Sequence, residues 1–326
     1  MTNTAFITDP AFLAHDTGPS HLERADRLRA ILQRLDETGI RSRAMTLAPR
    51  KATRSMLELV HDPAYVDRVE TDVRLRRPYL STDPGMDTRL SDGTMDAALL
   101  AAGAVATAVD AVMSGAVRNA FCAVRPPGHH ATRESGMGFC IFNNVAIGAQ
   151  YARIRHGLQR VLIVDWDVHH GNGTEAIFSA DPNVFFASSH QAGIYPGSGL
   201  QRYTGVGAGE GCTLNMPLPP FSSEALFLET WSQRLPARME EFRPEIVFIS
   251  AGFDAHKADL LGSLGMTAGG FGQITRLILS IARRYADGRV ISVLEGGYNL
   301  EALADSVERH MHELLAAHDP GMISRG

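Results

Sequence analysis

Short apolar runs punctuate this chain at residues 120–124, 161–164, 183–188, 245–250 and 289–294, and the stretches between them carry the wider apolar spacing of helices. A run without polar alternation fits a strand buried on both faces of a parallel sheet. Three of the runs turn abruptly polar beside glycines: VLIV gives way to DWDVHHGNG, 245–250 to AGFD, and 289–294 to EGGY. Strands alternating with helices predict an α/β fold with one parallel sheet, and polar residues at the strand ends predict one site there.

Helix signals fill the gaps. Ser20 and Glu23 form an S-x-x-E capping box ahead of Leu22, Ala25, Leu28, Leu32 and Leu35, with Gly39 as a stop, which predicts an amphipathic helix. Arg24, Arg27 and Arg29 read as its solvated face, with an inward-pointing Arg27 as the alternative. A second box, Ser55 with Glu58, and an Asp62-Pro63 start mark two short helices leading into a polar loop over 76–93, and a loop that long is more often functional than idle. The tract 95–113, rich in Ala and Gly and carrying Asp110, is expected to be a buried helix rather than a membrane span. Phe142-Asn143-Asn144 opens a helix through Ala149, and residues 222–242 read as a helix kinked at Pro236.

With 44% hydrophobic residues and no linker-like run, a single domain over 1–326 is expected. The net charge of -5 and the dispersed Lys and Arg leave no basic stripe, which argues against nucleic acid as a direct partner. Cys122, Cys140 and Cys212 are odd in number and widely spaced, as reduced thiols of a cytoplasmic protein would be. Residues 1–15 lack the basic start and apolar core of a signal peptide. A homo-oligomer stays open.

The densest chemistry lies in 165–173. In an extended segment i, i+2 and i+4 share a face, so Asp165, Asp167 and His169 are expected to project together, away from Trp166 and Val168. Two carboxylates and an imidazole crowded at one strand end are costly unless a cation joins them, so this stretch reads as a metal site. The run at 120–124 delivers Arg125-Pro126-Pro127-Gly128-His129-His130, a rigid turn ending in paired histidines. Beyond it lie Gly136-Met137-Gly138-Phe139-Cys140 and a glycine-studded loop over 190–211 that holds Tyr195 and Pro196.

VRPPGHHA, GFCIFNN, VLIVDWDVHHGNGT, SAGFDA and LEGGYNL resemble, in this order, the motifs of the zinc-dependent histone deacetylase family, within the arginase and deacetylase fold. With HLERADRLRAIL they span residues 15–305, and the Asn of HHGNG and the Trp of VDWD look like the class II branch and its bacterial relatives. The resemblance implies one α/β domain, a mostly parallel sheet with helices on both faces. It implies zinc ligands at Asp167, His169 and Asp254, and tandem active-site histidines at His129 and His130, with His130 as general base. Asp165 then corresponds to the partner that orients His129, Asn172 to that of His130, and Tyr298 to the tyrosine that hydrogen-bonds the substrate carbonyl. Gly138 matches a glycine of the tunnel wall, and Phe139 and Tyr195 the aromatic pair lining it. A potassium site built partly from Asp165, Asp167, His169 and Ser188 is implied as well. Leu22 stands where a proline is usual, and 83–92 match the family loosely.

An amide is unreactive, so its hydrolysis asks for a metal that polarises the carbonyl, an imidazole that moves protons and a donor for the oxyanion. The leading expectation is removal of acetyl or related acyl groups from lysine side chains of peptides or proteins. The same chemistry on small N-acyl amines such as acetylpolyamines is the second. A non-catalytic acetyl-lysine binding module is the third, and the complete set of ligands, histidines and Tyr298 opposes it. In class II relatives that prefer acetylpolyamines, an acidic gatekeeper follows the zinc aspartate by seven positions. Here that position is Leu261, which favours the lysine substrate, with carboxylates brought to the rim by the loop 83–92 as the opposing alternative.

Overall fold

The computed structural model describes residues 3–317; residues 1–2 and 318–326, the ends of the domain expected over 1–326, lie outside the described residues. Among the described residues, eight strands form one sheet: β1 (Thr4–Ile7), β2 (Met45–Leu47), β3 (Asn119–Cys122), β4 (Val161–Asp165), β5 (Val184–Gln191), β6 (Thr213–Leu218), β7 (Ile246–Ala251) and β8 (Val290–Leu294). All pair in parallel, in the order β2-β1-β3-β8-β7-β4-β5-β6. The four central neighbours β3, β8, β7 and β4 are buried along their whole length, as apolar runs without alternation require. Their carboxyl ends lead, side by side, into the His129-His130 turn, Tyr298, Asp254 and the Asp165–Asn172 segment.

The helices are α1 (Asp26–Glu37), α2 (Arg54–Leu57), α3 (Pro63–Arg74), α4 (Thr94–Met113), α5 (Asn144–His156), α6 (Asn172–Phe178), α7 (Glu224–Phe242), α8 (Ala268–Tyr285) and α9 (Leu300–Ala316). They flank the sheet in two series. In one, α4 and α5 pack on each other; in the other, α1 packs on α9, α9 on α8 and α8 on α7. The α4 helix is apolar and long enough to cross a membrane, but 13 of its 20 residues are buried against neighbouring elements. Its small residues have a packing reason: a Cβ at Gly103 would run into the Arg50 carbonyl.

Two capping boxes expected from the sequence are absent. The α1 helix starts at Asp26, and Ala25 at its N-cap makes no side-chain cap bond. Glu23 is instead fully buried against the guanidinium groups of Arg27 and Arg125, a tertiary ion cluster that outweighs a local cap. Thr53 caps α2 by accepting from Met56 N, while Glu58 pairs with Arg54. Asp62 caps α3 ahead of Pro63, and Asn143 caps α5, both as the sequence predicts. The α7 helix continues through Pro236. Strands β1, β2 and β6 and helices α6, α8 and α9 add to the predicted elements.

Candidate active site

Past the ends of β4 and β7, three buried groups converge. His169 Nδ1 lies 3.0 Å from Asp167 Oδ1 and 3.2 Å from Asp254 Oδ2, and ligand atoms of all three residues lie within 4.8 Å of one another. Asp254 Oδ1 accepts from Val168 N, and Asp167 Oδ2 from Gly296 N, which aims the carboxylates. Among the described residues, Asp254 Oδ2 is buried without a hydrogen-bond partner. Glycine makes this approach feasible: a Cβ at Gly296 would overlap Asp254 Oδ2, and one at Gly252 would overlap Asp167 Oδ2. Burial, then the Asp167 charge, pushes the Asp254 carboxyl up to about 7. Burial opposes charge on His169, but Asp167 and Asp254 prevail and push it up to about 10. A cluster that needs a positive charge and leaves one oxygen unpartnered is a donor set suited to a divalent cation.

Asp165 does not share a face with that pair, contrary to the expected alternation. The strand ends at Asp165, whose Oδ1 accepts from Asp167 N, and Asp167 Oδ1 in turn accepts from His169 N. These two short turns curl the chain, so Asp165 points to His129 instead. His129 Nδ1 donates to Asp165 Oδ2 at 2.9 Å, and its Nε2 lies 3.9 Å from Asp167 Oδ2. Burial disfavours an imidazolium here, but the Asp165 and Asp167 carboxylates overcome it and push His129 up to about 10. His130 Nδ1 meets Asn172 Oδ1 at 2.7 Å. Burial, then the charges of His129 and His169, holds His130 well below its usual value.

A cavity of about 270 Å³ opens over these groups, lined by His130 and His169 and walled by Gly138, Phe139, Ile194, Tyr195, Leu261, Tyr298 and Asp87. Gly138 has φ +56°, and a Cβ there would press on His130 and the Tyr195 ring. Phe139 and Tyr298 meet edge to face at 5.9 Å between centroids, and Tyr195 meets His130 at 5.1 Å. The Arg27 guanidinium lies 5.0 Å from the Tyr298 ring centroid, so the inward alternative for Arg27 is the one realised. It donates to the carbonyls of Glu295 and Gly297. Ser188, fully buried, is the register partner of Asp165, and its hydroxyl pairs with His190 Nδ1 at 3.0 Å.

Two further carboxylates reach the site, Glu295, which the sequence reading does not name as a site residue, and Asp87, from the loop 83–92 whose carboxylates are the expected alternative at the rim. Glu295 Oε2 accepts from Gly128 N and His129 N, holding the paired-histidine turn from beneath. Its signal was a lone acid closing an apolar run beside two glycines. Asp87, in the loosely matched loop, accepts from Gly138 N at 3.1 Å and reaches the cavity; burial, then Asp83, pushes its carboxyl up to about 6.

Residues 21–314 match the histone deacetylase domain. The chain belongs to the histone deacetylase family. It is 39% identical to a probable deacetylase of Archaeoglobus fulgidus over 91% of this chain and 82% of that protein. It is 40% identical to the human polyamine deacetylase HDAC10 over 94% of this chain, which corresponds to 47% of the human protein. Among solved structures, the crystal structure of the HDA15 HD domain superposes with a TM-score of 0.90 at 35% identity, covering 97% of this chain and 88% of that one. This member of the histone deacetylase family is therefore a hydrolase acting on amide bonds, a deacetylase.

Proposed function

We propose that this deacetylase is a zinc-dependent amidohydrolase that removes acetyl or related acyl groups from lysine side chains of peptides or proteins. The observation that carries the reading is the convergence of His169 Nδ1, Asp167 Oδ1 and the unpartnered Asp254 Oδ2 beside an aromatic-walled cavity. Asp167, His169 and Asp254 would hold zinc. Bound there, zinc supplies a Lewis acid for the amide carbonyl and brings the pKa of water down to about 7.

The remaining parts are side chains of this chain. His130 is held neutral, its Nδ1–H is taken by Asn172, and its Nε2 is the free base that accepts a proton and returns it to the leaving amine. His129, anchored by Asp165, is the imidazolium of the pair and offsets negative charge developing nearby. Burial, then the Asp254 charge, holds the Tyr298 phenol well above its usual value, so it stays a donor for the oxyanion. Phe139 and Tyr195 suit the four-carbon lysine stem, and Gly138 leaves it room. A potassium ion near Asp165, Asp167, His169 and Ser188 is part of the same reading, supported by the in-register burial of Asp165 beside Ser188. The three cysteines are unpaired, which supports a cytoplasmic setting.

Asp87 keeps the acetylpolyamine reading in play, because a carboxylate at the cavity attracts a distant ammonium group, and one relative is named a polyamine deacetylase. Leu261 argues the other way: it offers no charge to offset the loss of ammonium hydration. Comparison of kcat/KM on acetyl-lysine peptides, N-acetylspermidine and N-acetylputrescine tests the choice. Preference for peptide supports the lysine reading, and preference for the polyamines overturns it.

A further inference from the structure

Between Asp254 of the metal cluster and Leu261 of the cavity wall, one carboxylate accepts four backbone N–H groups. Asp259 Oδ1 takes those of Leu260 at 2.7 Å and Leu261 at 3.1 Å. Asp259 Oδ2 takes those of Tyr298 at 2.7 Å and Asn299 at 3.1 Å. The first pair is local, whereas the second joins two loops attached to different strands, β7 and β8. Asn299 closes the clasp from the other side: its amide donates to the Ala258 carbonyl at 3.0 Å while its Oδ1 accepts from Ala302 N and caps α9.

The clasp matters because two glycines lead into Tyr298. Gly296 and Gly297 stand before it, Gly297 at φ +123°, and a glycine backbone restrains the next residue least. The Tyr298 main chain therefore takes its position from outside its own loop. We propose that Asp259 is a positioning residue that fixes Tyr298 against the Asp167, His169 and Asp254 cluster and holds Leu261 in the same unit, so that the oxyanion donor and the cavity wall keep one register. This rests on the reading of Tyr298 as the donor to the substrate carbonyl.

The test is a double-mutant cycle on an acetyl-lysine peptide. Asp259→Asn keeps the shape but leaves one acceptor oxygen and turns an amide N–H₂ toward two N–H donors. In the wild-type background it lowers kcat about 10- to 100-fold, the scale of a small misplacement in an active site, with KM within about threefold and bound metal retained. In the Tyr298→Phe background the same change costs less than about threefold, because the donor it positions is already gone. Equal fold losses in both backgrounds, or a wild-type kcat in Asp259→Asn, overturn the role of Asp259. A wild-type kcat in Tyr298→Phe overturns the Tyr298 reading and the proposal with it, a distinct result. If Asp259→Asn does not fold, Asn299→Asp keeps the α9 cap but deletes the bond to Ala258. The same non-additivity with Tyr298→Phe is expected of it, and independent losses overturn the clasp.

Discussion

His130 Nδ1 lies 2.7 Å from the amide oxygen of Asn172, while the neighbouring His129 has a carboxylate in the equivalent place. On the proposed reading, a neutral partner leaves His130 the base of the pair, and a charged one makes His129 the cation. Asn172→Asp gives His130 a carboxylate and raises its pKa. The base is then protonated at higher pH, so the acidic limb of the kcat/KM profile moves upward by about one unit or more. A limb at its wild-type position places the base elsewhere.

Tyr298→Phe keeps the ring packed against Phe139 and removes the hydroxyl. The expected loss is roughly two to three orders of magnitude in kcat, the scale of one oxyanion donor, with folding and bound metal intact. Single-turnover kinetics beside metal analysis separates this from a loss of metal.

Asp254→Ala and His169→Ala each take one of three converging donors, and a three-ligand site has no spare. Metal content by atomic emission is expected to fall to near background in both, with turnover. Stoichiometric metal in either variant moves the site away from this cluster.

Leu261 and Asp87 both line the cavity and pull the substrate choice in opposite directions. Leu261→Glu is expected to raise kcat/KM for N-acetylspermidine by about tenfold or more relative to an acetyl-lysine peptide, since an acid there offsets the ammonium's desolvation. Asp87→Asn lowers polyamine turnover further in the wild-type background. If Leu261→Glu leaves the ratio unchanged, the wall at that position does not read the substrate.

His61 gives a stability prediction independent of the chemistry. Its Nδ1 donates to the Thr132 carbonyl and its Nε2 accepts from Asn143 N, both at 2.9 Å, so both nitrogens are engaged in the neutral form. Burial holds its pKa down at about 4. Between pH 6.5 and 4 the unfolded chain binds a proton that the folded chain refuses, so stability is full above about 6.5 and falls as pH drops toward 4. The contribution is on the order of 3 kcal/mol. Urea titrations at pH 7.5 and 5 are expected to show a smaller difference for His61→Gln than for wild type.

The central strands were legible because burial on both faces removes polar alternation, as in Val161–Asp165. Strand β6 was hidden by Pro217, which is tolerated because β6 pairs on one side alone, with β5. Glu23 looked like a cap residue because the capping pattern is local, while its partner Arg125 lies 102 residues away. The alternation of Asp165, Asp167 and His169 predicts a shared face that the structure does not have, because side chains binding main-chain N–H groups end the strand at Asp165. Asp259 and Glu295 went unrecognised for a related reason. Both act on backbone N–H groups of distant segments, and such acceptors leave no spacing pattern in a sequence.

The most direct measurement is turnover of a fluorogenic acetyl-lysine peptide by the wild-type enzyme before chelation, after chelation and after zinc is restored, with Asp254→Ala beside it. The proposed zinc site at Asp167, His169 and Asp254 predicts that chelation abolishes turnover, that zinc restores it in wild type, and that Asp254→Ala stays inactive throughout. Turnover that survives chelation, or full activity in Asp254→Ala, would contradict the account.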